Sequence, residues 1–495
     1  MTNVADLRDV SPENWAYDAL NSLRTKYNCF TGYPDLTLKG NKNLSRDELV
    51  SAMDSCLQAI EKLSNVNSAV TRQDIEKLKR MIQEYESEIA ALGARTYNSE
   101  SRVAFVENHQ FSVTSHFSGE MITGLTGVFQ GEKNEGTEDI FKVTNIGHRG
   151  RLKFNTTFDG NDSLYIRFTT GTAPDYSDIA DTFEGKSSFT HPDESDLAVQ
   201  LIIYSFALAE NVRMFVEPVG GAFDDFVPTL NFLDGDAAFG SISAFGTRNP
   251  VYYMPGGPGI GFRGRIFNVF EWSGGYLAKD GESPRLGAGM FNGPYGVMGQ
   301  LAYEPHDDFK IAFTYLHGHN NLDSGTGTQR SNMYKFLEKT FEHFDGSLDT
   351  INNSYRVEFS WHLNEKIVVG AWGGFTTTRT LGAINLGKDL EPIGRGQQRT
   401  WNWAGNVSFP DLFVEGDTAG FIIGMEPWVA ESNLKFPNGL RNNDRNSSFH
   451  VEAIYQFPLN NYITVTPGVV YISAPDFSHS NKGLVIGTIR TTFTF

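Results

Sequence analysis

The chain has no hydrophobic run long enough to cross a membrane as a helix. Such a helix needs about 20 consecutive apolar residues, and the densest stretch, Leu197 to Ala209, is interrupted by Gln200 and Ser205. The mean hydropathy of -0.32 is that of a polar protein. These features exclude a helical membrane protein. They do not exclude a β-barrel, in which only every second residue faces lipid.

Cysteine is almost absent from the chain. Its two cysteines, Cys29 and Cys56, both lie within the first 60 residues. Few cysteines are usual for exported bacterial proteins, and two in one small exported module can form a disulfide. We predict a Cys29–Cys56 disulfide, with two separately buried thiols as the alternative.

Basic residues are also scarce relative to acidic ones. The chain has 41 Lys and Arg against 59 Asp and Glu, for a net charge of -18. This balance argues against nucleic acid as a partner. If the acidic groups line an aqueous pore, they favour cations. The alternative is that acidic loops only keep the surface soluble.

Motifs for catalysis and metal binding are missing as well. There is no P-loop, nucleophile elbow, H-E-x-x-H or paired CxxC, and His317 and His319 stand two apart near a loop, where such pairs are usually solvated. We therefore expect no enzyme activity, no cofactor and no metal site. A barrel enzyme remains an alternative, because spacing alone does not identify a catalytic Ser, His and Asp.

What the chain does have is a long region of alternating residues. Good alternation of apolar and polar positions occurs in 355–363, 449–457 and 463–471, and the chain ends on the amphipathic stretch Ile489–Phe495. Strict period two with one apolar face is typical of a sheet that is wet on one side. A terminal aromatic residue closing such a strand is typical of outer-membrane barrels.

The connections between these strands differ in length. Tight turns are expected at 304–308, 362–366 and 457–461, and long polar loops at 319–353 and 379–399. Transmembrane barrels have short turns at one end and long loops at the other. The fold class predicted is mainly β, with an antiparallel transmembrane barrel of about 16 strands over residues 108–495. A soluble propeller or sandwich is the alternative, but no internal repeat supports it.

Two helical segments precede the barrel. Residues 1–64 are predicted to form a small α-helical module, in which Ser45 and Glu48 are expected to make a capping box. Residues 65–107 carry ten successive heptad core positions and are predicted to form a coiled coil. These positions are Ile75, Leu78, Ile82, Tyr85, Ile89, Leu92, Thr96, Ser99, Val103 and Val106. The heptads leave dimer and trimer open, and a single helix packed on a domain is the alternative.

The first module resembles an S-layer homology (SLH) domain. The resemblance is carried by Asp9-Val10, Trp15-Ala16, Gly32-Tyr-Pro-Asp35 and Leu44-Ser-Arg-Asp-Glu48, which match the family's landmarks in order and spacing. Leu36 stands where the family usually has Gly, and Ser45 where it has Thr. The resemblance implies binding of a peptidoglycan-linked polysaccharide, often one with acidic pyruvyl groups.

The same resemblance implies a set of glycan-binding residues. Arg46 would pair with a glycan carboxylate, and Trp15 would offer its face to a sugar ring. Gly32 would allow close approach of the backbone, and Asp35 would accept from sugar hydroxyls. Glu48 also belongs to the predicted glycan-binding set, although a helix-capping role explains this residue at least as well. In the alternative to glycan binding, Trp15 occupies a core position and Asp35 only shapes its turn.

One SLH domain, a coiled coil and a barrel, in that order, resemble the cyanobacterial and cyanelle-type outer-membrane porins. Their barrels are similar to the OprB carbohydrate-selective porin family, and the segments 242–252 and 256–261 also look like that group. The resemblance implies a diffusion channel for inorganic ions and small hydrophilic nutrients. A structural tether between the outer membrane and the cell wall, with a closed or incidental channel, is the alternative.

The channel interpretation also predicts a constriction, partners and a location. The Gly-, Pro- and Asp-rich stretch 220–261 is the candidate for a loop folded into the lumen. The candidate constriction residues are Asp224, Asp225, Asp234, Asp236 and Arg248. An ordinary outer loop is the alternative. We expect a homotrimer in outer-membrane lipid, with the SLH domain and coiled coil in the periplasm.

Overall fold

The computed structural model describes residues 15–27, 72–84, 114–132, 140–191, 195–254, 256–320, 323–344, 346, 348–387 and 390–495, together with positions 52, 53, 55, 56, 58 and 59. The chain divides into two compact units, Met1–Phe111 and Ser112–Phe495. Among the described residues, no helix is both long enough and apolar enough to cross a membrane.

The first unit contains the helices α1 (Trp15–Tyr27) and α2 (Arg72–Glu84). They are joined through the carboxylate of Asp74 on α2, which accepts hydrogen bonds from Lys26 and Tyr27 at the end of α1, the latter at 2.8 Å. Contacts between residues widely separated in the sequence thereby hold the two helices together.

The buried face of α2 differs from a simple coiled-coil seam. Asp74, Leu78 and Met81 are all buried, and their spacing of four and three residues places them on one face of the helix. Leu78 is a predicted heptad position, whereas Met81 is not. The remainder of the predicted coiled coil lies outside the described residues and stays a prediction.

The second unit is a closed barrel of sixteen antiparallel strands, which confirms the predicted fold class and strand number. The barrel strands are β1 (Ser115–Gln130), β2 (Asn145–Thr156), β3 (Ser163–Gly171), β4 (Ala198–Ala209), β5 (Val212–Val219), β8 (Gly259–Ile266), β9 (Phe270–Ala278), β10 (Tyr295–His306), β11 (Phe309–His319), β12 (Thr350–Asn364), β13 (Ile367–Thr380), β14 (Gln397–Pro410), β15 (Thr418–Ser432), β16 (His450–Asn460), β17 (Ile463–Ile472) and β18 (Leu484–Thr494).

The remaining elements of this unit are short and lie in connections. Two-residue strands β6 (Asp234–Gly235) and β7 (Phe239–Gly240) pair with each other. Short α-helices cover Ser177–Ala180, Ala244–Thr247 and Met333–Thr340, and 3-10 turns cover Phe223–Asp225, Pro250–Tyr253, Pro437–Gly439 and Pro475–Phe477.

The wall of the barrel has an apolar outer face and a polar inner face. On β12, Tyr355 and Val357 point outward with 53% and 42% of their surface exposed, while Arg356 and Glu358 point inward and are buried. Exposed apolar groups on a closed sheet are suited to contact with lipid. The predicted alternation therefore corresponds to the two faces of the barrel wall.

The connections have the predicted asymmetry. Two residues join β10 to β11, β12 to β13, and β16 to β17. At the opposite end, the connections 220–258, 320–349 and 381–396 are long. We call the first side the short-turn end and the second the long-loop end.

The barrel closes where β1 pairs with β18. The backbones of Gly119 and Phe495 exchange two hydrogen bonds of 2.7 and 3.1 Å. The Phe495 ring covers the glycine on the outer face, so that a Cβ built on Gly119 would lie 2.3 Å from the ring. Gly119 is thus the residue that lets the terminal aromatic lie flat on the seam.

Replacing Gly119 with Ala is expected to destabilise the barrel, because the new methyl group collides with the Phe495 ring. Overpacking of this kind costs about 1–3 kcal/mol. The measurement is the temperature at which the detergent-solubilised barrel loses its β-sheet circular dichroism.

The matched control is Gly299→Ala on the outer face of β10. A Cβ at Gly299 meets no atom within 4 Å. We expect the unfolding temperature of this control to equal that of the wild type. Equal unfolding temperatures for the two variants would contradict the proposed seam packing.

Candidate functional site

The connection between β5 and β8, residues 220–258, folds into the barrel, and we call it the inner loop. The guanidinium of Arg490 on β18 donates hydrogen bonds to the loop carbonyls of Ala237, Gly240 and Ser241 at 2.9, 2.6 and 2.8 Å. Arg490 is fully buried. Because β18 is not a neighbour of β5 or β8 in the barrel, the loop must reach across the lumen to make these bonds.

Two other strands hold the inner loop at different points. Glu452 on β16 accepts hydrogen bonds from the Ser241 hydroxyl at 2.8 Å and from the Ile242 backbone at 2.7 Å. Arg356 on β12 donates to the Tyr252 hydroxyl at 2.7 Å. Hydrogen bonds to charged groups each contribute about 1.5–3 kcal/mol. The loop is therefore anchored to well-separated parts of the wall.

Apolar side chains fill the space between the inner loop and the wall. One cluster contains Leu233, Ile242 and Phe245 of the loop and Trp372, Ile422 and Ile454 of the wall. Another contains Phe223, Phe226 and Tyr252 of the loop and Leu277, Met298 and Leu316 of the wall. Burial of such side chains stabilises by roughly 1.5–3 kcal/mol each, which favours a fixed loop position.

Four of the five predicted constriction residues come together on this loop. Arg248 forms ion pairs with Asp224 and, at 2.7 Å, with Asp234. Asp236 lies 3.9 Å from the same guanidinium. The acidic stretch is thus neutralised in part by a basic residue of its own loop.

Asp225, the fifth residue, makes a different contact from the other four. Its carboxylate accepts a hydrogen bond of 2.8 Å from the backbone of Ala222. Burial raises the pKa of the Asp225 carboxyl to about 7, and the charge of Asp224 adds to this effect. The constriction roles of all five residues remain predictions.

The barrel wall supplies basic partners that the sequence argument missed. Arg151 on β2 lies 2.6 Å from the carboxylate of Asp236, and Arg167 on β3 lies 3.6 Å from it. Arg149 and Lys153 share the inner face of β2 with Arg151, and all three pair with Glu120 on β1. The signal was present as three basic residues at alternate positions, 149, 151 and 153.

These cations control the ionisation of Asp236. Partial loss of solvent inside the barrel raises the pKa of its carboxyl, but the guanidinium groups of Arg151, Arg167 and Arg149 outweigh this effect and hold the pKa below its usual range. Asp236 therefore stays charged at neutral pH. The result is a carboxylate on the loop that faces guanidinium groups on the wall.

A second connection, between β3 and β4, also reaches the inner loop. Ser187 forms an isolated β-bridge with Ser243, and the Ser188 backbone donates to the Ile242 carbonyl at 2.9 Å. The ring of Phe189 covers Gly124 of β1, where a Cβ would lie 2.4 Å from the ring. The sequence predicts one inward loop, 220–261, and the inward course of this second connection was not predicted.

The predicted residues of the first unit are only partly described. Trp15 is half-buried, and the guanidinium of Arg80 on α2 stacks over its ring at 4.4 Å. Cys56 is buried and disulfide-bonded. Cys29, Gly32, Asp35, Arg46 and Glu48 lie outside the described residues, so the glycan-binding roles and the cysteine pairing remain predictions.

Within the part of the chain that the structure describes, no group of three or more His, Cys, Asp or Glu residues is placed to hold a metal ion. The interior carries fixed charges of both signs on the inner loop and on the wall. A closed barrel with an apolar exterior and an inward loop that carries such charges is the architecture of an outer-membrane porin.

The chain belongs to the carbohydrate-selective porin, OprB family, which it matches over residues 72–495. This confirms the family resemblance seen in the sequence. Because the family is one of porins, the barrel is an outer-membrane barrel.

Individual proteins extend this comparison. An uncharacterized Synechocystis protein, sll0772, is 33% identical over 517 residues, which cover 100% of this chain and 91% of the relative. Outer membrane protein SlpA of Thermus thermophilus is 33% identical over 111 residues, 21% of this chain and 12% of SlpA. The solved structure of Pseudomonas putida OprB has a similar fold, with a TM-score of 0.51 and 11% identity, covering 78% of this chain and 96% of that one.

Replacing Arg490 with Met is expected to loosen the inner loop, because three loop carbonyls lose their donor. The loss of several hydrogen bonds to a buried charge corresponds to about 3–5 kcal/mol. The measurement is limited proteolysis of the folded, detergent-solubilised protein, with cleavage between residues 220 and 258 expected only in the variant.

Arg399→Met is the control, because Arg399 is exposed and pairs with an exposed residue, Glu431. We expect its inner loop to resist the protease as the wild type does. Resistance of the Arg490 variant, or equal cleavage of both variants, contradicts the anchoring role of Arg490.

Proposed function

We propose that the protein forms a water-filled diffusion channel for inorganic ions and small hydrophilic nutrients across the outer membrane. The observation that carries this proposal is the position of Asp236. Its side chain is 51% exposed, although it contacts Arg151 and Arg167 on the inner face of the wall. An exposed carboxylate inside a closed barrel requires water in the interior.

The facing charges suit passage of polar solutes. A carboxylate on the loop and guanidinium groups on the wall produce a transverse electric field, which orients water. The same charged groups can form hydrogen bonds with a passing solute. Solutes that cannot make such bonds must displace oriented water at a cost. No tight binding step is required, so transport follows the concentration gradient.

The N-terminal unit is proposed to tether the channel to the cell wall. Support comes from the SLH landmarks and from the partial similarity to an outer-membrane protein, SlpA. In this proposal Arg46, Trp15, Gly32 and Asp35 contact a peptidoglycan-linked polysaccharide, and Glu48 caps its helix or joins them. The SLH domain and coiled coil then lie in the periplasm.

Assembly as a homotrimer follows from the same reasoning. SLH domains in other proteins commonly come as three copies in one chain, whereas this chain has one copy next to a heptad run. A parallel trimeric coiled coil would bring three copies together. Three barrels would then lie side by side in outer-membrane lipid.

One observation favours a second candidate function, a structural tether with a closed channel. The inner loop and the connection between β3 and β4 both occupy the lumen, and the bridge between Ser187 and Ser243 joins them. If these two segments fill the remaining passage, the barrel serves only as a membrane anchor. Conductance separates the two functions.

Purified full-length protein is expected to produce discrete conductance steps in planar lipid bilayers, because ions cross the water beside Asp236. Trimers should give events in groups of three. Asp236→Asn should change the chloride-to-potassium permeability ratio in favour of chloride, by roughly twofold or more, since the guanidinium groups lose their counter-charge.

Asp280→Asn is the control for this measurement, because Asp280 is an exposed residue of the connection after β9. We expect its permeability ratio to match that of the wild type. Silent bilayers with well-folded trimers would support the tether and reject the channel.

Arg46→Gln is expected to weaken binding to isolated cell walls that retain their polysaccharide. Loss of a charge-assisted, bidentate pair should raise the dissociation constant about tenfold. The measurement is co-sedimentation of the protein with isolated cell walls.

Lys77→Gln, at an exposed position of α2, is the control and should bind as the wild type does. Equal binding of both variants rejects the proposed role of Arg46.

A further inference from the structure

Three cations form a group on the inner wall at the short-turn end of the barrel. Arg263 and Arg265 lie at alternate positions on β8, and Lys310 lies near the start of β11. Their side chains are 42%, 52% and 40% exposed. We call these three residues the basic belt.

The orientation of the belt follows from the strand registers. On β8, the ring of Phe226 from the inner loop covers Gly261, so Gly261 faces the lumen. Residues at alternate positions share a face of a strand, and Arg263 and Arg265 therefore face the lumen too. On β11, the buried Thr314 bonds to Gln300 and marks the inner face, which Lys310 shares.

Two glutamates each form ion pairs with two residues of the basic belt. Glu271 pairs with Arg263 at 3.0 Å and with Arg265 at 3.5 Å. Glu304 pairs with Arg265 at 2.9 Å and with Lys310 at 3.3 Å. Three positive charges thus meet two negative ones in a continuous chain of ion pairs.

The carboxylates of this group are buried, whereas its cations are exposed. The side chains of Glu271 and Glu304 are only 5% and 14% exposed, whereas each cation is at least 40% exposed. A guanidinium has five N–H donors and an ammonium has three, so the shared carboxylates leave donors available. A solute that enters from the short-turn end meets cations and donors, with the carboxylates behind them.

Further positive charge lies on the inner face at the same end. Lys153 near the end of β2 is 25% exposed, and Arg213 near the start of β5 donates to the Asn161 carbonyl. These two side chains add positive charge to the inner face at this end, although the chain as a whole carries -18. The net charge favours cations only if acidic groups line the pore, whereas the exposed charges of the basic belt are positive.

We propose that the basic belt makes the channel prefer small anions, such as chloride, phosphate and carboxylates, over cations. This inference rests on the proposed channel function. Exposed cations in a water-filled enclosure with low-dielectric walls raise the local concentration of anions and lower that of cations. Screening has a Debye length of about 10 Å at 0.1 M salt, so the preference weakens as salt rises.

The test is the reversal potential of the full-length protein in a neutral phosphatidylcholine bilayer under a KCl gradient. The wild type should be more permeable to chloride than to potassium, roughly threefold at low salt. The triple variant Arg263→Gln, Arg265→Gln, Lys310→Gln should bring this ratio to one or below. A cation-selective wild type overturns the proposal.

A second variant changes the selectivity in the opposite direction. Glu271→Gln with Glu304→Gln keeps the belt and removes the charges beneath it, so chloride preference should rise. This variant keeps the test decisive if the triple variant does not fold.

The matched control removes three exposed cations at the long-loop end, by Arg399→Gln, Lys435→Gln and Arg441→Gln. It should leave the chloride-to-potassium permeability ratio unchanged. An unchanged ratio in the belt variants overturns the proposal.

Phosphate binding distinguishes failure of this proposal from failure of the channel function. The probe is inorganic phosphate, whose phosphorus NMR line should broaden with detergent-solubilised wild type and with the long-loop control. It should stay sharp with the triple belt variant. Broadening without any conductance retains the anion site and rejects the channel. Conductance with equal line widths for the wild type and the belt variant rejects the anion site.

Discussion

The structure depends on one constraint, the pairing of every backbone N–H and C=O group that crosses the membrane. An open sheet would leave two unpaired edges in lipid. Here the ladder between β1 and β18 removes both edges, and Gly119 allows Phe495 to cover that joint on the lipid side. Since the exterior must be apolar, nearly all charge of the wall is directed into the lumen.

Charge in the lumen then needs partners, and the inner loop supplies many of them. Arg490 donates hydrogen bonds to three loop carbonyls, while Glu452 accepts hydrogen bonds from a hydroxyl and a backbone amide of the same loop. The groups that keep contact with water include Asp236 in the middle and the basic belt at the short-turn end. The solute thus meets a local arrangement of charges that the total charge of the chain does not describe.

Much of the barrel could be predicted because its signals are local. Alternation in β12, β16 and β17 reflects lipid on one face and water on the other, and loop lengths follow from turn residues in sequence. The pairing of Asp236 with Arg151 could not be predicted, since it joins residues 85 apart and depends on the path of the inner loop. The contact between Lys26 on α1 and Asp74 on α2 could not be predicted either, since it depends on how the two helices pack.

We propose that the inner loop, which lies in the lumen against the basic wall, narrows the path of the solute. This proposal is tested most directly by the double variant Asp236→Cys, Arg151→Cys, treated with a short bifunctional thiol reagent during single-channel recording. We expect the cross-link to form in the folded protein and to lower the current. Absence of the cross-link, or a cross-linked channel with unchanged current, contradicts this proposal.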